Sequence, residues 1–65
     1  IDEAAGRRMA RLNGLRITGS LGILVRAKRE GRPIVLKDAI ASMRARGIWL
    51  SGNLEQLVLR AADEM

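Results

Sequence analysis

Seven glycines and one proline punctuate this 65-residue chain so closely that only short elements fit between them. A glycine inside a helix or strand weakens it, and an interior proline breaks it. Gly14, Gly19, Gly22, Gly31, Pro33 and Gly47 therefore set the predicted boundaries. A first helix is expected over about 2–13, with Ala5, Met9 and Leu12 as a narrow apolar stripe and Gly14 at its end. Residues 15–18 alternate apolar and polar and include two β-branched side chains, which predicts a short strand. Gly19-Ser20 reads as a turn, with Ser20 capping a second helix over 21–30 that Gly31 stops. Leu21, Leu24 and Val25 share its apolar face. A third helix over 33–46 starts at Pro33, aligns Leu36, Ile40 and Met43, and ends at Gly47. Residues 48–50 form a second short strand or an extended linker. The last helix, over 53–63, aligns Leu54, Leu57, Val58 and Ala61, with Asn53 or Ser51 as its cap.

The predicted class is thus mostly α, with three to four helices and one or two short strands, in a single unit spanning 1–65. A lone strand leaves its backbone groups unpaired. Residues 15–18 must then pair with 48–50, with a second copy, or with residues outside this sequence. The chain has no cysteine and no histidine, so disulfides, thiolate zinc sites and imidazole ligands are excluded. Small folds without such staples often oligomerise. Self-association or a missing partner is expected. Trp49 is the only aromatic residue. It reads as a packing residue, with an exposed stacking platform for a base as the alternative.

Charge is divided unevenly. The formal net charge is +5, and all of the excess lies in residues 1–32. There, eight lysines and arginines face Asp2, Glu3 and Glu30, whereas residues 33–65 are balanced. A one-sided basic surface attracts phosphate backbones, and equally an acidic protein. Arg26, Lys28, Arg29 and Arg32 form the densest cluster, either a phosphate contact or a solvated face. Arg7 and Arg8 extend the candidate set. Asp2 and Glu3 are an acidic pair ahead of a basic helix. Such carboxylates could help hold Mg²⁺ or Mn²⁺, or could simply favour the positive end of the helix dipole. The segment from Thr18 to Gly22 could hold an anion on its backbone amides or be an ordinary Ser-capped turn. A histidine-based triad is impossible, and the glycine spacing is not a dinucleotide fingerprint. No apolar run approaches a membrane span, and no targeting segment is visible, so a cytoplasmic protein with no membrane partner is expected.

The run from Thr18 to Gly31, TGSLGILVRAKREG, resembles the "TGT-LG-LL-AK-x-G" stretch of a PIN-like family. The flanking segments agree. Asp2-Glu3, Gly6-Arg7-Arg8-Met9-Ala10 and Gly14-Leu15 are similar to its "D-E-x-x-G-R-R-x-A-x-x-L-G-L" helix. Arg46-Gly47-Ile48-Trp49-Leu50-Ser51 is similar to its "R-G-F-W-L-S" turn. The resemblance implies the C-terminal half of an α/β/α sandwich with a parallel sheet. It implies a ribonuclease, commonly the toxin of a toxin–antitoxin pair, that cuts RNA with several carboxylates and Mg²⁺ or Mn²⁺. Asp2 or Glu3 would be one catalytic, metal-binding acid. Gly19-Ser20 stands where many members carry an acid or Asn. RNA and an antitoxin are the implied partners, and Arg7, Arg8, Arg26, Lys28 and Arg29 the implied phosphate contacts. The 65 residues alone are not expected to be active. A non-catalytic basic module that dimerises or binds protein or nucleic acid is the competing expectation.

Overall fold

The computed structural model describes residues 3–65, in three helices: α1 (Glu3–Arg29), α2 (Leu36–Ala45) and α3 (Gly52–Ala61). No strand occurs among the described residues. This corrects the expected class: among the described residues there is neither a short strand nor part of a sheet-containing sandwich, and the fold is all-helical. The largest departure is α1. It runs unbroken through the segments read as a helix, a strand, a turn and a second helix.

The physical reason lies in backbone pairing. A four-residue strand needs a neighbour for its N–H and C=O groups, whereas a helix satisfies them within the segment. The hydroxyls that favoured a turn are absorbed as well. Thr18 Oγ1 donates to the Gly14 carbonyl at 2.8 Å, and Ser20 Oγ donates to the Arg16 carbonyl at 2.9 Å. Such back-bonding is how Ser and Thr are accommodated inside helices. Gly14, Gly19 and Gly22 are carried at a conformational cost, and a Cβ at any of them would meet nothing within 4 Å. Gly19→Ala is therefore expected to stabilise the protein by about 1 kcal/mol. That corresponds to a Tm rise of about 4–8 °C in a domain of this size. A lower Tm in a circular-dichroism melt would contradict a helix at this position.

The helix ends follow one pattern. After α1, the Gly31 N–H bonds to the Lys28 carbonyl and the Arg32 N–H reaches back to that of Ala27. After α2, Gly47 bonds to Arg44 and Ile48 to Met43 in the same way. Gly31 and Gly47 have φ of 96° and 83°, the left-handed geometry that glycine adopts without a Cβ penalty. Both stops match the sequence expectation. After α3, Asp63 takes the same position at φ 59°, and the Glu64 N–H bonds back to the Leu59 carbonyl. One start differs from expectation: Pro33 precedes α2 rather than opening it. Of the two caps expected for the last helix, Ser51 is the one used, its hydroxyl accepting from the Leu54 N–H at 3.1 Å.

The core lies at the C-terminal end of α1. Leu21 and Val25 of α1, Leu36 and Ile40 of α2, and Val58, Leu59 and Ala62 at α3 are buried, together with Leu50 of the α2–α3 connector. Ile17, Leu24, Ile34, Met43 and Leu54 pack around them. In α1 the spacing of 17, 21, 24, 25 and 28 is that of one helical stripe. α3 is turned slightly from its expected face: Leu57 and Ala61 are exposed, and Leu59 and Ala62 are buried. Arg44 ties α2 to α3 through Glu55 at 2.9 Å and to the connector through the Leu50 carbonyl at 3.2 Å.

Candidate nucleic-acid interface

At 1.5 Å per residue, α1 is about 40 Å long. The whole molecule extends 45 × 20 × 18 Å, so this helix sets its long axis. Residues 3–16 are all exposed. Half of α1 therefore lies outside the core, and that half carries Arg7, Arg8, Arg11 and Arg16. None of these four, nor Arg29, is bonded to a carboxylate among the described residues.

Helical continuity also brings distant arginines onto one face. Arg8 and Arg26 are eighteen positions apart, as are Arg11 and Arg29. That is about five turns, or roughly 27 Å, so the two pairs lie one above the other along the same side. Arg26 also forms an exposed pair with Glu30 at 3.2 Å, of the weak i,i+4 kind. Arg11 and Arg16 were not among the expected contacts. Their signal is the helical period itself, once it is carried through Gly14 rather than stopped there.

Trp49 is exposed, not packed; 80% of its surface is accessible. It stands between two grooves. One is shared with Ala10, Asn13, Arg16 and Met43. The other is shared with Arg11, Thr18, Ser51 and Leu54. Gly14 and Ile17 line both, so the ring sits under the middle of α1 with an arginine on each side.

Lys28 differs from the other basic residues. Its Nζ lies 2.6 Å from Glu64 Oε2, and its side chain is largely covered. The same carboxylate accepts from the Leu36 N–H at 2.6 Å and the Lys37 N–H at 3.0 Å. The residue before α2, Val35, has no side chain able to cap it. Glu64 supplies that cap from the other end of the chain, where the helix dipole also favours an anion. The hydrogen bond from Lys28, then those from Leu36 and Lys37, hold its pKa down to about 2 from 4.5, against the opposing effect of burial. A depressed carboxylate stabilises the fold above its unfolded pKa and ceases to do so as pH falls through the folded one. The Tm of the wild type should therefore exceed that of Glu64→Gln at neutral pH, with the gap closing between 4.5 and about 2. A gap independent of pH across that window would contradict an ionised cap.

The expected acidic site is only partly within view. Asp2 lies outside the described residues, and Glu3 is exposed in the first turn of α1. No three acidic side chains converge among the described residues. Glu30, Glu55 and Glu64 are each paired with a cation. The described residues thus do not fit a divalent metal on their own.

A small, basic, helical unit with an arginine-bearing arm is the class these features define. The chain belongs to a PIN-domain family, whose model matches residues 1–64 and agrees with the resemblance carried by the run from Thr18 to Gly31. No curated protein and no solved structure matches it. No helix among the described residues is long and apolar enough to cross a membrane.

Proposed function

We propose that this chain is the RNA-binding C-terminal part of a PIN-type ribonuclease. The observation that carries the reading is the row of exposed arginines along α1, of which Arg7, Arg8, Arg11, Arg16 and Arg29 have no carboxylate partner among the described residues and Arg26 has only its exposed pair with Glu30. Guanidinium groups bind phosphate in a planar, bidentate manner, and counterions released from the RNA drive association. On this reading Arg7, Arg8, Arg26 and Arg29 contact phosphates, whereas Lys28 holds the fold. Family membership supports a nuclease-like activity; on this reading the protein is a cytoplasmic toxin restrained by an antitoxin. Asp2 and Glu3 would belong to an acidic set completed by residues outside 1–65, dependent on Mg²⁺ or Mn²⁺.

The test has two arms. The 65-residue chain should bind RNA with an affinity that falls steeply with salt. The protein carrying this chain should cleave RNA with Mg²⁺ or Mn²⁺, and Asp2→Ala or Glu3→Ala should lower the rate. Equal cleavage by both variants and the wild type would remove the acidic assignment. Binding insensitive to salt would remove the phosphate contacts.

A second reading has its own observation. Met9, Leu12 and Ile23 are exposed on α1. They would suit a non-catalytic module that pairs with another copy or another protein. Sedimentation of the chain discriminates: a concentration-dependent dimer favours this reading, and a monomer that binds RNA favours the first.

A further inference from the structure

We propose that Trp49 is a stacking platform for the bases of single-stranded RNA, with Arg11 and Arg16 holding the phosphates on either side. The inference rests on the RNA-binding reading and adds the form of nucleic acid recognised. Three observations carry it. The indole is 80% exposed although the residue after it, Leu50, is buried, so the ring is anchored at its base and open above. Each of the two grooves that meet at Trp49 contains one arginine of α1, Arg11 on one side and Arg16 on the other. The helix edge shared by both grooves contains Gly14, where a Cβ would meet nothing within 4 Å, which leaves open space beside the ring.

An aromatic face between two cations suits a strand with unpaired bases. Every base has a π-face, so stacking is tolerant of sequence, while the flanking backbone is drawn to positive charge. A duplex keeps its bases stacked on one another and offers none to the indole. An apolar protein segment would gain from the ring but would leave the two guanidinium groups without partners. A single strand meets all three groups.

Trp49 is the only aromatic side chain, so the intrinsic fluorescence of the protein comes from this ring alone. The test titrates the chain with a twelve-nucleotide oligouridylate and with an RNA duplex of equal length. Anisotropy of a labelled strand reads binding, and indole emission reads contact. The single strand should quench Trp49 emission, and the duplex should leave it unchanged. Trp49→Leu should weaken single-strand binding about tenfold with the salt slope unaltered, and should not change duplex binding. Trp49→Phe should recover most of the loss. Because the ring is exposed, both variants should keep the wild-type helicity.

The outcomes separate the two readings. Salt-dependent binding of both RNAs that is unaffected by Trp49→Leu overturns the platform and leaves the phosphate contacts standing. Failure of the wild type to bind either RNA overturns both. A shift of Trp49 emission with protein concentration alone, together with a dimer abolished by Trp49→Leu, assigns the ring to a contact between copies and overturns the platform.

Discussion

Changing Arg7, Arg8 and Arg11 together to glutamine is expected to weaken binding of single-stranded RNA about a hundredfold at 0.1 M salt. Every phosphate of a single strand that is no longer neutralised reduces the slope of log K against log salt by about 0.7. Removing three guanidinium charges reduces it by about 2, and over the tenfold interval from 1 M to 0.1 M this accumulates to about two decades. All three side chains are exposed and precede the first core residue of α1, so folding is not at stake. Glutamine is a helix former nearly equal to arginine, which preserves the arm. The decisive readout is the slope. Weaker binding with the slope unchanged would mean that these arginines act through something other than phosphate.

Leu21→Ala is expected to unfold the protein at room temperature. Leu21 has no accessible surface and belongs to a core of only eight buried residues among those described. Truncating a buried leucine to alanine costs about 2–5 kcal/mol, the sum of lost transfer energy and the cavity left behind. A single core in a domain this small supplies roughly 3–5 kcal/mol of net stability. The two quantities are of the same size. Far-UV circular dichroism should show the loss of helix, with Leu21→Met retaining most of it because volume is conserved. A cooperative melt for Leu21→Ala within a few degrees of the wild type would show that the helices are held by something other than this cluster.

These expectations draw on parts of the molecule that differ in how plainly the chain announces them. The stops at Gly31 and Gly47 were legible because a left-handed cap is a local requirement that glycine meets best. The apolar faces of α1 and α2 at Leu21, Leu24, Val25, Leu36 and Ile40 were legible from period alone. The continuity of α1 was not. Four alternating residues followed by Gly19-Ser20 carry the local marks of a strand and a turn, and only the lack of a partner strand decides against them. Glu64 was hidden for a different reason: its partners lie 28 and 36 positions away, beyond any local pattern. Trp49 was misplaced because large aromatics usually pack. Leu50 beside it is buried in the core, and the ring stays outside. Arg11 and Arg16 became candidates only once α1 was seen to run past Trp49 and to place one of them in each groove beside it. Of the acidic pair, Glu3 lies in the first turn of α1, and Asp2 lies outside the described residues.

The carboxylate that caps α2 also joins three segments that are distant along the chain, and this gives the fold a direction. Residues near that knot should exchange their amide protons only when the whole unit opens, because the last turn of α1, the first of α2 and the tail after α3 must part together. Amides of residues 3–16 share in none of it and should exchange by fraying, one turn at a time. The chain is thus built as a locked base with an unlocked stem, and a ligand gripping that stem would stiffen it without disturbing the base.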